Sequence, residues 1–416
     1  MTRVIRTAGA VLALGLLLAA CGGKRGTVQG GNDTFTATTL TVYVDLPLQG
    51  PDFSRQLSIA DGAALALYGA GGHVGPLHVS FVVLNDAGYR GGAWTAPQTG
   101  DSARTASSDQ SSVAYIGDFD SGASAISQKL NNENDIVQIL PGSGYAGFTD
   151  RSPANQPGDP GAYYPDGSRT LVRLIPSDAV EARAIVTLLR TQGVRRLYVI
   201  SDTSDPLSAD VAPLTAAAAP AGGVAVAGRG QISTAASTPL SAYRAAAAAA
   251  AATHPDAVLL AGPGDTGAAT LWRDLHSALP GARLVGSSTL ARSPFLESLG
   301  GAGASSEIVS PYLEPDQYPP SARAVFAQYR ARFHAAPTVF ALYGYEAMRI
   351  ALAAVKRAGR LAPNRASFLK TFHSLGTIRG VLGDLHFNAN GDTSLTAFDA
   401  YRVGATGALT LLRTLP

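Results

Sequence analysis

From Leu40 onward, short apolar runs alternate with longer stretches whose apolar positions recur at helical spacing. Runs of four to eight β-branched or aromatic residues bounded by turn formers read as strands, and apolar residues at i, i+3, i+4 and i+7 read as helices. On that basis strands are expected at 40–46, 77–84, 113–116 and 136–140, with helices at 59–68 and 123–130 between them. Residues 151–170 carry Pro, Gly, Asp, Asn and Tyr without a period and read as a surface loop. The rhythm then resumes, with strands at 196–200, 224–227, 257–261 and 282–286 and helices at 180–192, 208–219, 268–279 and an alanine-rich stretch ending near Thr253. Alanine has the highest helix propensity, so the run from Ala245 to Ala252 is an ordinary packed helix. Helices at 321–333, 339–358 and 365–375 dominate the last third, and Asn390-Gly391 marks a hairpin. Alternation of strand and helix implies parallel sheets covered on both faces. The expected fold class is α/β, with two doubly wound lobes.

The amino terminus follows a different pattern. Arg3 and Arg6 precede thirteen mostly apolar residues, Ala8 to Ala20, which end in Leu18-Ala19-Ala20-Cys21. A membrane span needs about 20 apolar residues, so this stretch reads as a secretory signal over residues 1–20. Cys21 is the only cysteine. Its position makes it the expected point of lipid attachment, with residues 21–38 as a flexible polar tether to the membrane. No disulfide can form, and a fold of this length buries enough core without one.

Charge and chemistry narrow the functional classes. The net charge of +2 falls to about zero once Arg3 and Arg6 are removed, so nothing steers nucleic acid. The seven histidines show no metal-ligand spacing, and Asn388 to Asp392 lacks the twelve-residue calcium loop, so neither a metal nor a cofactor is expected. Gly262-Pro-Gly-Asp-Thr-Gly267 follows a strand and opens a helix, as in dinucleotide sites, but no acidic residue lies at the end of the next strand to hold a ribose. Asp265 is better read as a helix N-cap. No nucleophile elbow is present, and Asp-Thr-Gly occurs without the second copy an aspartic protease requires, so an enzyme is not expected.

Six strings, in order, are similar to those of the extracellular solute-binding proteins of branched-chain amino-acid ABC transporters, which have the periplasmic-binding type I fold. They are Leu46-Pro-Leu-Gln-Gly-Pro51, Ile116-Gly-Asp-Phe-Asp-Ser-Gly-Ala-Ser124, Leu140-Pro-Gly-Ser-Gly144, Arg173-Leu-Ile-Pro-Ser-Asp178, Tyr343-Gly-Tyr-Glu-Ala347 and the segment from Gly380 to Asp392. The resemblance implies two lobes joined by three crossings near 175, 312 and 395. It assigns 39–175 plus 313–394 to lobe 1 and 176–312 plus 395–416 to lobe 2. It also implies a small-molecule solute, an amino acid or something like one, and a permease partner on the outer face of the cell membrane.

In such open sheets ligands bind beyond the carboxyl ends of strands, against helix N-termini. That places Asp120, Ser121, Gly122, Ala123 and Ser124 at the site, with Gly142, Ser143, Gly144 and Tyr145 after the next strand and Phe53 and Arg55 at the mouth. Of the other loop tyrosines, Tyr89, Tyr163, Tyr164, Tyr312 and Tyr318 are expected to pack at the surface, and Tyr343 and Tyr345 to face the core or hinge. The chain departs from the resemblance at three pocket places. Gly144 stands where a threonine helps hold the ligand carboxylate, Ser288 near where an acid pairs with the ligand ammonium, and Pro206 near where an aromatic ring lies. Asp120, Asp202, Asp205 and Asp265 could supply negative charge instead. These departures leave open an alternative: a sensory or structural surface lipoprotein with a changed or lost pocket.

Overall fold

The structure, a computed structural model, describes residues 39–416 apart from 89–91 and 153–154. The expected signal, the tether, Cys21 and Tyr89 lie outside the described residues. No helix among those described is long and apolar enough to cross a membrane.

The first sheet contains β1 (Thr39–Leu46), β2 (His73–Val74), β3 (Leu77–Asn85), β4 (Ser112–Ile116), β5 (Val137–Leu140) and β6 (Leu171–Arg173) in the order β2-β3-β1-β4-β5-β6. All its pairings are parallel except the short β2–β3 hairpin. The central strands β1, β4 and β5 are buried almost throughout, which is why they read as continuous apolar runs. Three helices connect these strands: α1 (Phe53–Gly69), α2 (Ala96–Ser108) and α3 (Ser121–Asn132).

The second sheet follows α4 (Asp178–Thr191) and holds β7 (Arg196–Asp202), β8 (Ala225–Ile232), β9 (Ala257–Ala261), β10 (Arg283–Gly286) and β11 (Ser306–Ser310). Between them run α5 (Val211–Ala218), α6 (Leu240–Ala251), α7 (Thr266–Ala278) and the short α8 (Ser293–Ser298). The chain then returns to the first sheet through α9 (Pro320–Phe333), α10 (Phe340–Ala358) and α11 (Arg365–His373), followed by the small hairpin of β12 (Ile378–Arg379) and β13 (Asp384–Leu385). It ends on the second sheet with β14 (Phe398–Val403) and β15 (Leu409–Leu415), giving the order β15-β14-β11-β10-β9-β7-β8. The last two pairings are antiparallel. The result is two α/β lobes whose sheets are mostly parallel.

Packing explains the excursion of the last third. Val325, Met348, Phe368 and Leu385 share one core with Leu40, Val42 and Ile139 of the first sheet. The crossing of α1 and α10 is so close that a β-carbon on Gly344 would lie 1.8 Å from the Ile59 carbonyl oxygen, and one on Gly62 would lie 2.0 Å from that of Ala341. Only glycine allows backbone contact of this kind.

Candidate functional site

Between the lobes lies a cavity of about 240 Å³. From the first lobe it takes Arg55 of α1, the turn after β4 with Phe119, Asp120 and Ser121, and Gly142 after β5. The second lobe contributes Ser208, Ser288, Thr289 and Arg292, and the segment joining the lobes contributes Tyr312, with Phe340 beside it. Four aromatic side chains, Phe119, Tyr312, Phe340 and Tyr401, are among the residues that line it. Tyr312 and Phe340 have ring centroids 4.2 Å apart, and Phe119 stacks near Tyr312 at 6.3 Å and near Phe340 at 5.9 Å. Gly142 makes this possible, since a β-carbon there would meet the Phe119 ring at 2.4 Å.

Two guanidinium groups enter this apolar space and differ in their partners. Arg292 lies over the Phe119 ring, forms an ion pair and hydrogen bond with Asp120, and has Asp52 at 3.7 Å. Burial alone would lower its pKa, but Asp120 and Asp52 outweigh that effect and the net shift is upward. Burial raises the Asp120 pKa, with Arg292 opposing it. Because Asp52 and Asp120 belong to one lobe and Arg292 to the other, these pairs bridge the cleft. The Ser293 amide and hydroxyl add donations to Asp52 of 3.2 and 3.1 Å.

Arg55 is held more loosely than Arg292. Its nearest carboxylate, on Asp52, is 4.0 Å away. Its guanidinium makes no hydrogen bond among the described residues and lies 4.8 Å from the Phe340 ring centre. Burial pushes its pKa below the usual arginine value, with Asp52 opposing. Ser121 opens α3 at the same cavity, and the first-turn N–H groups of a helix have no intrahelical partners. A guanidinium whose acid partner is 4.0 Å away, a helix N-terminus and aromatic rings thus face one cavity.

Of the residues singled out by sequence, Arg55, Asp120, Ser121, Gly142 and Ser288 meet at this cavity. The structure does not bring the others to it. Phe53 is 43% exposed, outside the wall. Gly122 is small because the Trp94 ring lies where its β-carbon would be, and Ala123 is buried. The Ser124 hydroxyl donates back to the Asp120 carbonyl at 3.1 Å, and the Ser143 hydroxyl donates to that of Ser121 at 3.1 Å. Gly144 abuts the Asp178 carboxylate, which a β-carbon would meet at 2.0 Å. Tyr145, expected in the cleft, is wholly buried beside Phe148 and Tyr163, with its hydroxyl on Asp159 at 2.5 Å. Tyr312 takes the role expected of Tyr145, while Tyr163, Tyr164 and Tyr318 pack inside and not at the surface.

The remaining acids act as local caps and turn acceptors. Asp202 accepts from the Ser204 amide at 2.8 Å and the Thr234 amide at 3.1 Å, and Asp205 from the Ser208 hydroxyl at 2.6 Å. Asp265 caps α7 by accepting from the Ala268 amide at 2.7 Å.

An acid does lie behind Ser288. Buried Glu181 accepts from the Ser288 amide and hydroxyl, both at 2.6 Å. Burial, then repulsion from Asp178, pushes its pKa up to about 8, against those two hydrogen bonds. A raised carboxyl pKa favours the folded state in its protonated form. That stabilisation is complete below about pH 4.5, the ordinary value, and is lost as pH rises towards about 8. Melting temperature should therefore fall across this window, and Glu181→Gln should flatten the fall; an equal slope in both proteins would contradict the assignment.

The profile of the family described as "Periplasmic binding protein" matches residues 46–408. The chain belongs to that family. Its members are extracytoplasmic ligand-binding receptors that serve ABC transporters. The fold agrees with solved structures throughout the described chain. The leucine-binding protein LivK of Thermotoga maritima superposes with a TM-score of 0.72 at 17% identity, covering 90% of this chain and 98% of that one. A solute-binding protein of R. palustris in complex with benzoate gives 0.69 at 20% identity, covering 91% and 97%. LivJ of Streptococcus pneumoniae with isoleucine gives 0.69 at 16%, covering 91% and 99%. No curated protein sequence matches. This periplasmic binding protein thus has the type I fold, and at these identities the neighbours speak to the fold alone.

Proposed function

We propose that this periplasmic binding protein captures a small carboxylate with a flat or branched apolar body and delivers it to an ABC permease. The Arg55 guanidinium, which makes no hydrogen bond among the described residues and lies beside Phe119, Tyr312 and Phe340 at the cavity, is the observation that carries this reading. A largely buried guanidinium without a hydrogen-bonding partner is costly, and a ligand carboxylate would supply acceptors. A free amino acid fits less well, because the place near Ser288 offers a hydroxyl and the Glu181 carboxylate is already engaged behind it. Benzoate, bound by the R. palustris protein, has the right chemistry. The open cavity also argues against a receptor whose pocket has been lost.

Thermal shift of the purified chain against aromatic acids, branched aliphatic acids, their amides, amino acids and sugars tests the reading. The acids should raise the melting temperature and the matching amides should not. No shift with any acid would remove the proposal. The lipid anchor at Cys21 belongs to the same reading, since a tether keeps the receptor beside its permease at the outer face of the cell membrane. Cys21→Ser should move the protein from the membrane to the soluble fraction; unchanged membrane association would count against the anchor.

A further inference from the structure

At the carboxyl ends of β1, β3 and β4, three strands adjacent in the first sheet, the side chains of Asp45, Asp86 and Asp118 converge. Each is 0% exposed, and each offers a carboxylate oxygen within 4.8 Å of the other two. None has a salt bridge among the described residues. The Tyr115 hydroxyl lies 2.7 Å from Asp45 Oδ2 and 3.1 Å from Asp118 Oδ1, and a single hydrogen serves both. The Ser127 hydroxyl donates to Asp118. Asp86 has no such help, for both its carboxylate oxygens are buried without a hydrogen-bond partner, as is Asp45 Oδ1.

Proximity alone would make this only an acidic cluster. The orphaned, fully buried Asp86 carboxyl is a separate observation, because a buried acceptor facing two more carboxyls has to be neutralised, and a bound cation does this for all three at once where a proton serves one. We propose that Asp45, Asp86 and Asp118 form a buried site for a divalent cation of calcium size. Oxygen donors select hard cations. Calcium–oxygen distances of about 2.3–2.6 Å let two ligand oxygens lie up to roughly 5 Å apart, whereas magnesium, at about 2.0–2.1 Å, allows only roughly 4 Å. The three oxygens here lie within 4.8 Å of one another, inside the calcium span, and magnesium takes only one or two carboxylates and keeps several waters. Phe119 and Asp120 follow Asp118 directly, so the ion would fix the turn that lines the cleft. This inference does not depend on which solute the cleft takes.

The test uses the full chain stripped with EDTA and returned to metal-free buffer. Added calcium chloride should raise the melting temperature by several degrees. Terbium(III) should show emission sensitised by tyrosine excitation, since the Tyr115 hydroxyl touches two of the ligands. That emission should saturate at one ion per chain and be displaced by excess calcium. Asp86→Asn should abolish both responses without lowering the melting temperature in EDTA, because it removes a carboxylate that has no donor. If the stripped wild-type protein shows neither a calcium-dependent shift nor sensitised emission, the site does not exist. Equal responses in wild type and Asp86→Asn would also overturn it, by placing the ion elsewhere, for example at the turn from Asn388 to Asp392.

Discussion

Arg55→Met is expected to weaken carboxylate binding by at least about 100-fold while leaving the unliganded protein as stable as before. Leaving a buried charge unpaired at an interface costs about 2–5 kcal/mol, and each 1.4 kcal/mol is roughly tenfold in affinity. Stability should not suffer, because this guanidinium has no hydrogen bond among the described residues to lose. Methionine would keep the apolar stem against Phe340. Arg55→Lys should fall between the two, since a point charge cannot grip a carboxylate through two parallel donors. Calorimetry with an acid found by thermal shift reads all three affinities; equal affinity in Arg55→Met and wild type would show that the acid is held by something else.

Arg173→Met should have the largest effect on stability, a loss of about 3–5 kcal/mol. This arginine is wholly buried where the first sheet hands over to the second lobe. It donates to the carbonyls of Gly144 at 2.6 Å and Tyr145 at 3.0 Å and to the Thr149 hydroxyl at 2.8 Å. Its Nε lies 2.9 Å from Asp392 but off the hydrogen-bond axis, so that contact acts as an ion pair. The Gly391 carbonyl, in the turn marked by Asn390-Gly391, accepts from the Arg173 amide at 3.0 Å. Removing the guanidinium would take one donor from two carbonyls and a hydroxyl and the ion partner from a carboxylate at once. Urea unfolding followed by two spectroscopic probes would measure the loss, because a two-lobed chain need not unfold in one step. A loss below about 1 kcal/mol would contradict the role given to Arg173.

Much of the fold was legible because buried parallel strands such as β1, β4 and β9 read as apolar runs. What was missed has physical reasons. The α2 helix packs Thr99, Gly100, Ser102, Ala103 and Ala106, small residues without an apolar period. The terminal strand β15 lies mostly exposed at a sheet edge, where its side chains need not declare an inner face. In the site, turn-borne Asp120 and Ser121 were visible because they sit in a recognisable string. Arg292 was not, since it lies in an unremarkable loop and matters only because it reaches Asp120 in the other lobe. Phe119 carried a usable signal, a large apolar residue inside a turn of Gly, Asp and Ser. Tyr312 and Phe340 carried none. Small residues misled in the opposite direction: Gly122 and Gly144 make room for Trp94 and Asp178, protein groups and not a solute.

Arg55 and the three aromatic rings are expected to hold a carboxylate. A crystal structure with an acid identified by thermal shift tests it most directly. The carboxylate oxygens should lie within hydrogen-bonding distance of the Arg55 guanidinium and the apolar body among Phe119, Tyr312 and Phe340. A ligand bound outside this cleft, or turned with its carboxylate away from Arg55, would contradict it.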